Sequence, residues 1–194
     1  LKKEVREYLK DLDIVLGLAS LYENKGNFDQ SLSILEKALE IFPNNTTVLF
    51  TLGAVQDKAG LKDKCIANMR RILEINPDDA SALNYIGYTY ADEDINLDEA
   101  LELILKAHKL RPDDGNIMDS LGWVYYRMGD YNKAVLFLEK AVEMTKTTAI
   151  IIDHLGDAYQ KVNKHNKALE LYQKALDNAG KDDAELVEKI KRKI

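Results

Sequence analysis

Four glycines recur along this chain at an almost constant spacing. They are 34, 35 and 34 residues apart: Gly53, Gly87, Gly122 and Gly156. The three prolines keep the same period, with steps of 34 and 35 residues: Pro43, Pro77 and Pro112. Repetition at this length is typical of stacked helix-turn-helix units, because one such unit cannot bury its apolar face alone. The period therefore predicts an all-α repeat fold and favours a binding function over catalysis.

Within each period the sequence predicts two amphipathic helices. The first helix carries apolar, small and aromatic residues at offsets of 3, 4 and 7, as in Met118, Leu121, Gly122 and Tyr125. These offsets place the side chains on one helical face. The second helix carries small residues around a larger one, as in Ala134, Leu138 and Ala141, which suits closely crossing helices. Proline then ends the second helix of the early units.

This spacing predicts five repeats and two terminal segments. The repeats are expected at 12–45, 46–79, 80–114, 115–148 and 149–182, all within one array spanning 1–194. Residues 1–11 are expected to form a helical extension. Residues 183–194 are expected to form a capping helix whose apolar side carries Leu186, Val187, Ile190 and Ile194, since a repeat array needs its last open face covered.

The recurring small and large residues resemble the tetratricopeptide repeat (TPR) family over nearly the whole chain. The resemblance implies a right-handed α-solenoid in which the first helices line a concave groove. It departs from the family at the usual early tryptophan, which is replaced by Val15, Leu49, Leu83, Met118 and Ile152. The lysines and asparagines of family members that hold chaperone C-termini are also missing, because Leu16, Phe50 and Asp119 stand at such positions.

The resemblance also predicts which side chains face a ligand in the groove. The candidate binding residues are Phe50, Asn84, Tyr88, Asp119, Trp123, Tyr126, Arg127, Asp153 and Asp157. Aromatic residues are typical binding anchors, and the aspartates make the C-terminal half acidic. The expected ligand is a protein or peptide segment with apolar anchors and some basic residues. In the alternative interpretation, the aromatics pack between repeats and the aspartates are solvated.

Composition disfavours several other classes of function. The net charge is −6, and nucleic-acid binding needs a basic surface. No stretch approaches the roughly 20 apolar residues that a membrane span needs. The single cysteine, Cys65, replaces a core alanine and excludes an intrachain disulfide. Because the chain begins at Leu1, we expect it to be part of a longer protein.

Candidate chemistry is weak, and the expected protein is not an enzyme and has no cofactor or metal. The run from Asp92 to Asp98 imitates the start of a calcium loop, but Leu97 and Leu103 stand where such a loop needs glycine and glutamate. Ser120 and His154 can meet on adjacent first helices. A nucleophilic serine, however, needs an exposed turn with oxyanion donors, whereas Ser120 is expected in mid-helix.

A second resemblance concerns residues 82–144, which are similar to bacterial TPR proteins of the cell envelope. The shared marks are Gly87-Tyr88-Thr89 and the run from Asp119 to Trp123. This similarity implies a periplasmic adaptor, associated with the outer membrane through a lipid-bearing anchor upstream of this chain; the alternative is a cytoplasmic protein. A self-assembling module that forms a homo-oligomer and a regulatory arm of a larger enzyme are the other functions left open.

Overall fold

The structure is a computed structural model that describes residues 11–180 and 183–194. Within those ranges it contains eleven α-helices and no strand. They are α1 Leu12–Asn24, α2 Phe28–Ile41, α3 Thr46–Lys58, α4 Lys62–Ile75, α5 Ala80–Asp92, α6 Leu97–Leu110, α7 Gly115–Arg127, α8 Tyr131–Thr145, α9 Ala149–Lys161, α10 His165–Asn178 and α11 Ala184–Lys191. The all-α fold predicted from the sequence is confirmed. The extension predicted at 1–11 lies outside the described residues except for Asp11, whose side chain caps α1.

The chain divides into two compact units, residues 1–82 and residues 83–194. The first unit contains α1 to α4, and the second contains α6 to α11, with the division falling inside α5. The core of the first unit joins residues such as Val15, Leu35 and Leu52. The core of the second includes Leu138, Leu155 and the α11 residue Ile190. α11 is therefore packed into the second unit, as a capping helix would be.

The two helices of each pair are joined by a turn that needs a left-handed residue. Gly26, Gly60 and Gly129 occupy this position with φ between 70° and 82°, and Asp94 and Asn163 occupy it with φ of 60°. In all five turns the next residue donates its N–H to the carbonyl five residues earlier, at 2.7 to 3.0 Å. This hydrogen bond closes the end of the first helix. The turns at Asp94 and Asn163 therefore have the same backbone conformation and hydrogen bond as the turns that contain glycine.

The periodic glycines stand where the two helices of a pair approach most closely. A β-carbon at any of them would lie 2.5 to 2.6 Å from a side chain of the paired helix: Gly53 from Met69, Gly87 from Ile104, Gly122 from Leu138 and Gly156 from Tyr172. Contacts this short do not occur between real carbon atoms. The period of glycine is therefore a packing requirement of four of the five helix pairs; α1 carries Ala19 at the equivalent position.

Polar caps and prolines set the junctions between successive pairs. α2 and α4 end at Ile41 and Ile75, two residues before Pro43 and Pro77. Asn45 then caps α3 by accepting from the backbone N–H of Val48 at 3.0 Å. This order follows from proline's inability to continue a helix and from the preference of short polar side chains for the N-cap.

Candidate functional site

Three first helices of the second unit carry most of the predicted binding residues. α5 provides Tyr88, α7 provides Asp119 and Trp123, and α9 provides Asp153 and Asp157. On α7 and α9 the paired positions are four residues apart, so their side chains lie on the same helical face. These side chains form what we call the acidic-aromatic site, together with Tyr126 on α7, His154 on α9 and Tyr172 on α10.

A stack of aromatic rings forms the centre of the acidic-aromatic site. The Trp123 ring stacks on His154, with centroids 4.1 Å apart and planes 17° from parallel, and on Tyr126 at 4.8 Å and 5°. Tyr88 lies against His154 at 6.4 Å. Stacking between α7 and α9 buries the indole, which is 4% exposed. These rings hold successive repeats together, which is the structural role that the alternative interpretation gave to the aromatics.

Beside the stack, Asp119 and His154 form a buried pair across successive repeats. His154 Nδ1 lies 2.9 Å from Asp119 Oδ1 and 3.2 Å from Oδ2. A carboxylate only accepts hydrogen bonds, so His154 donates through Nδ1. His154 is 1% exposed. Asp119 is thus not solvated; its oxygens orient an imidazole ring within the packing between α7 and α9.

Two further carboxylates of α9 converge on one point of the surface. Asp153 is fully buried, and Asp157 accepts a hydrogen bond from the Tyr172 hydroxyl at 2.8 Å. Burial and the charge of Asp157 raise the pKa of Tyr172 well above its ordinary value. Burial, followed by the charge of Asp157, also raises the pKa of Tyr126, to about 12. The neighbouring phenols therefore stay protonated around these carboxylates.

A lysine two residues beyond the end of α11 occupies the point where these carboxylates converge. Lys193 Nζ lies 2.7 and 2.8 Å from the two oxygens of Asp153, and at the same distances from those of Asp157. The ammonium also lies 5.2 Å from the centre of the Tyr172 ring. One turn earlier, Lys189 Nζ is 3.8 Å from Asp153 and 5.9 Å from the Trp123 ring. The acidic-aromatic site thus binds cations of its own chain.

The structure brings most of the predicted binding residues together but buries several of them. Asp119, Trp123 and Asp153 are at most 6% exposed, so the expectation that they would face solvent was wrong. Stacking between repeats covers Asp119 and Trp123, and Lys189 and Lys193 help to cover Asp153. The role of these residues as partner contacts stays a prediction.

The remaining predicted residues lie outside this cluster or at its edge. Arg127 pairs with Asp94 at 3.4 Å and lies 5.9 Å from the centre of the Trp123 ring. Asn84 is half-buried on α5, and its Oδ1 accepts no hydrogen bond from the described part of the chain. Phe50 is a half-buried residue of α3, in the other compact unit. Phe50 therefore cannot be assigned to the acidic-aromatic site.

Sequence reasoning missed Tyr172, Lys189 and Lys193. Tyr172 stands between Ala168 and Ala175 of α10, at the position of Leu138 in α8, where the repeat pattern predicts only a packing residue. The signal for the lysines was present: they are four residues apart in a basic tail, opposite a groove predicted to be acidic. The expected apolar side of α11 also needs one correction. Ile190 is fully buried, but Ile194 lies beyond the end of the helix and is 60% exposed.

The geometry gives no support to the other chemistry considered. Ser120 is 3% exposed, and its hydroxyl donates to the Asn116 carbonyl of its own helix at 3.0 Å, so His154 does not activate it. No three potential ligands gather into a metal site among residues 11–180 and 183–194. Over the same ranges, no helix has the length and apolar character that crossing a membrane requires.

Comparison with known proteins identifies the repeats. Three tetratricopeptide repeat profiles match residues 25–85, 78–147 and 151–187. A TPR repeat-containing protein of Pseudomonas aeruginosa is 33% identical over 132 residues, which are 68% of this chain. The chain spans only 22% of the length of that relative.

Several solved structures share the fold. The TPR protein TTC0263 of Thermus thermophilus superimposes with a TM-score of 0.77 at 24% identity, covering 92% of this chain and 96% of that one. Pseudomonas aeruginosa pilF gives 0.72 at 22% identity, covering 92% and 79%. The MamA protein gives 0.64 at 24% identity, covering 86% and 90%.

Paired antiparallel helices repeated every 34 or 35 residues, with a glycine at the close crossing of four of the five pairs, define a helical repeat protein. The chain belongs to the tetratricopeptide repeat family. Proteins built on this fold generally act as scaffolds for protein–protein interaction and bind protein partners, and they are typically not catalysts.

Proposed function

We propose that this chain is a non-catalytic adaptor that binds a protein segment at the acidic-aromatic site. The observation that carries the proposal is the convergence of Asp153 and Asp157 on one ammonium group beside the Trp123 stack. Clustered aromatics supply large contact area at low entropic cost, and paired carboxylates select basic residues. The partner's segment is therefore expected to combine lysine or arginine with apolar anchors.

The adaptor function is tested by selecting peptides from a displayed random library on the immobilised chain. Recovered sequences should be enriched in lysine or arginine next to apolar residues. The Asp157→Asn variant keeps an oxygen that can accept the Tyr172 hydrogen bond but loses the charge, so recovery should fall about tenfold, as one lost charged hydrogen bond implies.

Glu170→Gln is the matched control, because Glu170 is an exposed residue of α10 and carries the same charge. Its recovery should equal that of the wild type. Selection of peptides without basic residues, or equal recovery on Asp157→Asn and wild type, would contradict the proposal. Light scattering on the same samples distinguishes the alternative, a homo-oligomeric module, by its mass.

We further propose that the parent protein works in the bacterial envelope. Support comes from the resemblance of residues 82–144 to envelope TPR proteins, carried by Gly87-Tyr88-Thr89 and the run ending at Trp123. Cell fractionation with an antibody against this chain tests the location. Recovery with the periplasm or outer membrane would support it, and recovery with the cytosol would favour the cytoplasmic alternative.

A further inference from the structure

The carboxylates of the acidic-aromatic site require a cation. All four carboxylate oxygens of Asp153 and Asp157 lie within 2.8 Å of the single ammonium of Lys193. Without that cation, two negative charges would repel each other at close range, and one of them is fully buried. Two carboxylates around one ammonium also leave an excess negative charge, which Lys189 offsets only from 3.8 Å.

A second observation at the same place is the unused donor of Trp123. The indole is 4% exposed, and its Nε1–H has no acceptor among the residues that the structure describes. Buried donors are almost always paired, so this N–H calls for an acceptor that the described residues do not supply, either a water or a group of a bound segment. The Trp123 ring lies 5.9 Å from Lys189 Nζ, which places this donor's side chain within the cation-binding surface.

The helix next to Lys193 has few features of its own that stabilise it. α11 has eight residues, and helices this short are marginal on their own in water. The side chain of Asp183 at its start accepts from the Gly180 N–H and does not cap the helix. Only Ile190 is completely buried, and half of the Lys189 side chain is exposed.

An open cleft also separates α11 from the start of α9. Of its lining residues only Ile150 belongs to α9; the others belong to the α11 segment itself: Asp183, Glu185, Leu186, Glu188, Lys189, Arg192 and Lys193. A helix that serves only as a cap would close against the repeat below it, because unfilled space forfeits packing contacts. Ile150 stays with the repeat array when α11 leaves, so a longer or better-fitting helix can cover this apolar side chain.

Resting on the proposed adaptor function, we propose that α11 and the residues directly after it are an intramolecular occupant of the acidic-aromatic site, and that a partner binds there by displacing them. The partner segment is an amphipathic helix of another protein. It carries two lysines or arginines four residues apart with an apolar residue directly after the first, as do Lys189, Ile190 and Lys193. Residues spaced in this way lie on one helical face.

Because α11 is covalently linked to the site that it fills, a partner must bind more favourably than α11 does. A segment linked to its own site has an effective concentration of the order of millimolar. The apparent affinity of a partner is reduced by the fraction of molecules in which α11 is detached. Only a segment with more favourable contacts, such as an apolar face that also covers Ile150, therefore displaces α11.

Hydrogen exchange on the intact chain tests whether α11 detaches. Amides of 184–191 are expected to exchange at least a hundredfold faster than the core amides of α9, because detachment requires only local opening. The result that would overturn the proposal is equal protection of α11 and α9, which would make α11 a fixed part of the fold.

A binding measurement tests whether the site binds a separate basic helix once α11 has detached. The probe is a fluorescent peptide with the sequence of residues 183–194, DAELVEKIKRKI. In the full chain carrying Lys189→Glu and Lys193→Glu, charge repulsion from Asp153 and Asp157 should release α11. This variant should bind the peptide at least tenfold more tightly than the wild type does.

The matched control carries Lys64→Glu and Lys174→Glu, two exposed lysines elsewhere, and should bind the peptide as weakly as the wild type. A peptide with glutamate in place of both site lysines should not bind the charge-reversed variant. The proposal is wrong if α11 keeps its exchange protection in the charge-reversed variant. It is also wrong if this variant binds the peptide with the same affinity as the wild type. A dimer formed by exchanging α11 between two copies would also overturn the choice of a foreign partner.

These outcomes separate this proposal from the adaptor function itself. If only the displacement is wrong, the selected basic peptides bind the wild type and the charge-reversed variant equally. If the adaptor function is wrong, no selected basic peptide binds either protein, although α11 is released from one of them.

Discussion

At the scale of single residues, the surroundings of the tyrosines in the acidic-aromatic site keep their hydroxyl groups protonated. Tyr172 is 3% exposed, and its hydroxyl donates to Asp157. Burial raises its pKa, and the charge of Asp157 and the hydrogen bond to it raise it further. Burial likewise raises the pKa of Tyr126 to about 12. Burial also raises the pKa of Tyr159, outside this site, to about 12, and the hydrogen bond that its hydroxyl donates to Glu139 contributes to the shift.

These shifts predict a loss of stability in alkali. Unfolded tyrosines lose their protons near a pKa of about 10, while the folded ones keep theirs, so above that pH the unfolded state binds fewer protons. The free energy of unfolding should therefore fall from about pH 10 and continue to fall to about pH 12 or beyond. Urea denaturation at a series of pH values measures this slope.

The Tyr172→Phe variant isolates one contribution to that slope. Its stability at neutral pH should fall by about 1 kcal/mol, because one hydrogen bond is lost. Above pH 10, the free energy of unfolding of this variant should decline less steeply than that of the wild type. A spectrophotometric titration of the folded variant should also lose one late-ionising phenol. An unchanged alkaline slope would mean that the Tyr172 phenol is not held protonated by the fold.

At the scale of helices, the unit of construction is the pair whose two members touch at a glycine. A β-carbon on Gly122 of α7 would lie 2.5 Å from Leu138 Cγ and 3.1 Å from the Leu138 backbone nitrogen on α8. Leu138 is fully buried and cannot move aside without disturbing the core. A comparable contact recurs at Gly53, Gly87 and Gly156, so four of the five pairs depend on one position without a side chain.

This crossing predicts opposite effects for two glycine-to-alanine changes. Gly122→Ala should lower the free energy of unfolding by about 2 kcal/mol, since overpacking outweighs the gain in helix propensity. Gly17→Ala, in α1, meets no atom within 4 Å and should raise it by up to about 1 kcal/mol. Denaturation followed by circular dichroism measures both. An unaltered midpoint in Gly122→Ala would show that α7 and α8 do not cross at this residue.

The elements were predictable from local pattern, whereas the occupancy of the site was not. Glycine and proline spacing marked the helix pairs because close crossings and helix ends restrict residue type directly. The burial of Asp153 depends on Lys193, which lies 40 residues later in the sequence. The pairing of Asp119 with His154 spans 35 residues in the same way. No local pattern states which of several charged residues meet, because that depends on packing between helices.

At the scale of the whole chain, each of the two compact units is expected to have its own free energy of unfolding. In a repeat protein each helix pair gains most of its stability from its neighbours, so long arrays need not unfold in one step. The single tryptophan, Trp123, lies in the unit formed by residues 83–194. Its fluorescence therefore reports on that unit, whereas circular dichroism at 222 nm reports on all helices.

We expect a substitution in one unit to shift only the transition of that unit. Leu35→Ala, in the fully buried core of residues 1–82, should remove about 2 to 5 kcal/mol from the stability of its own unit. The circular dichroism transition should then begin at lower urea, while the midpoint of Trp123 fluorescence stays in place. Leu138→Ala, equally buried in residues 83–194, is the matched change and should lower the fluorescence midpoint. If Leu35→Ala moves both signals together, the array unfolds as one cooperative body, and the single domain expected from the repeats describes its energetics better than two units.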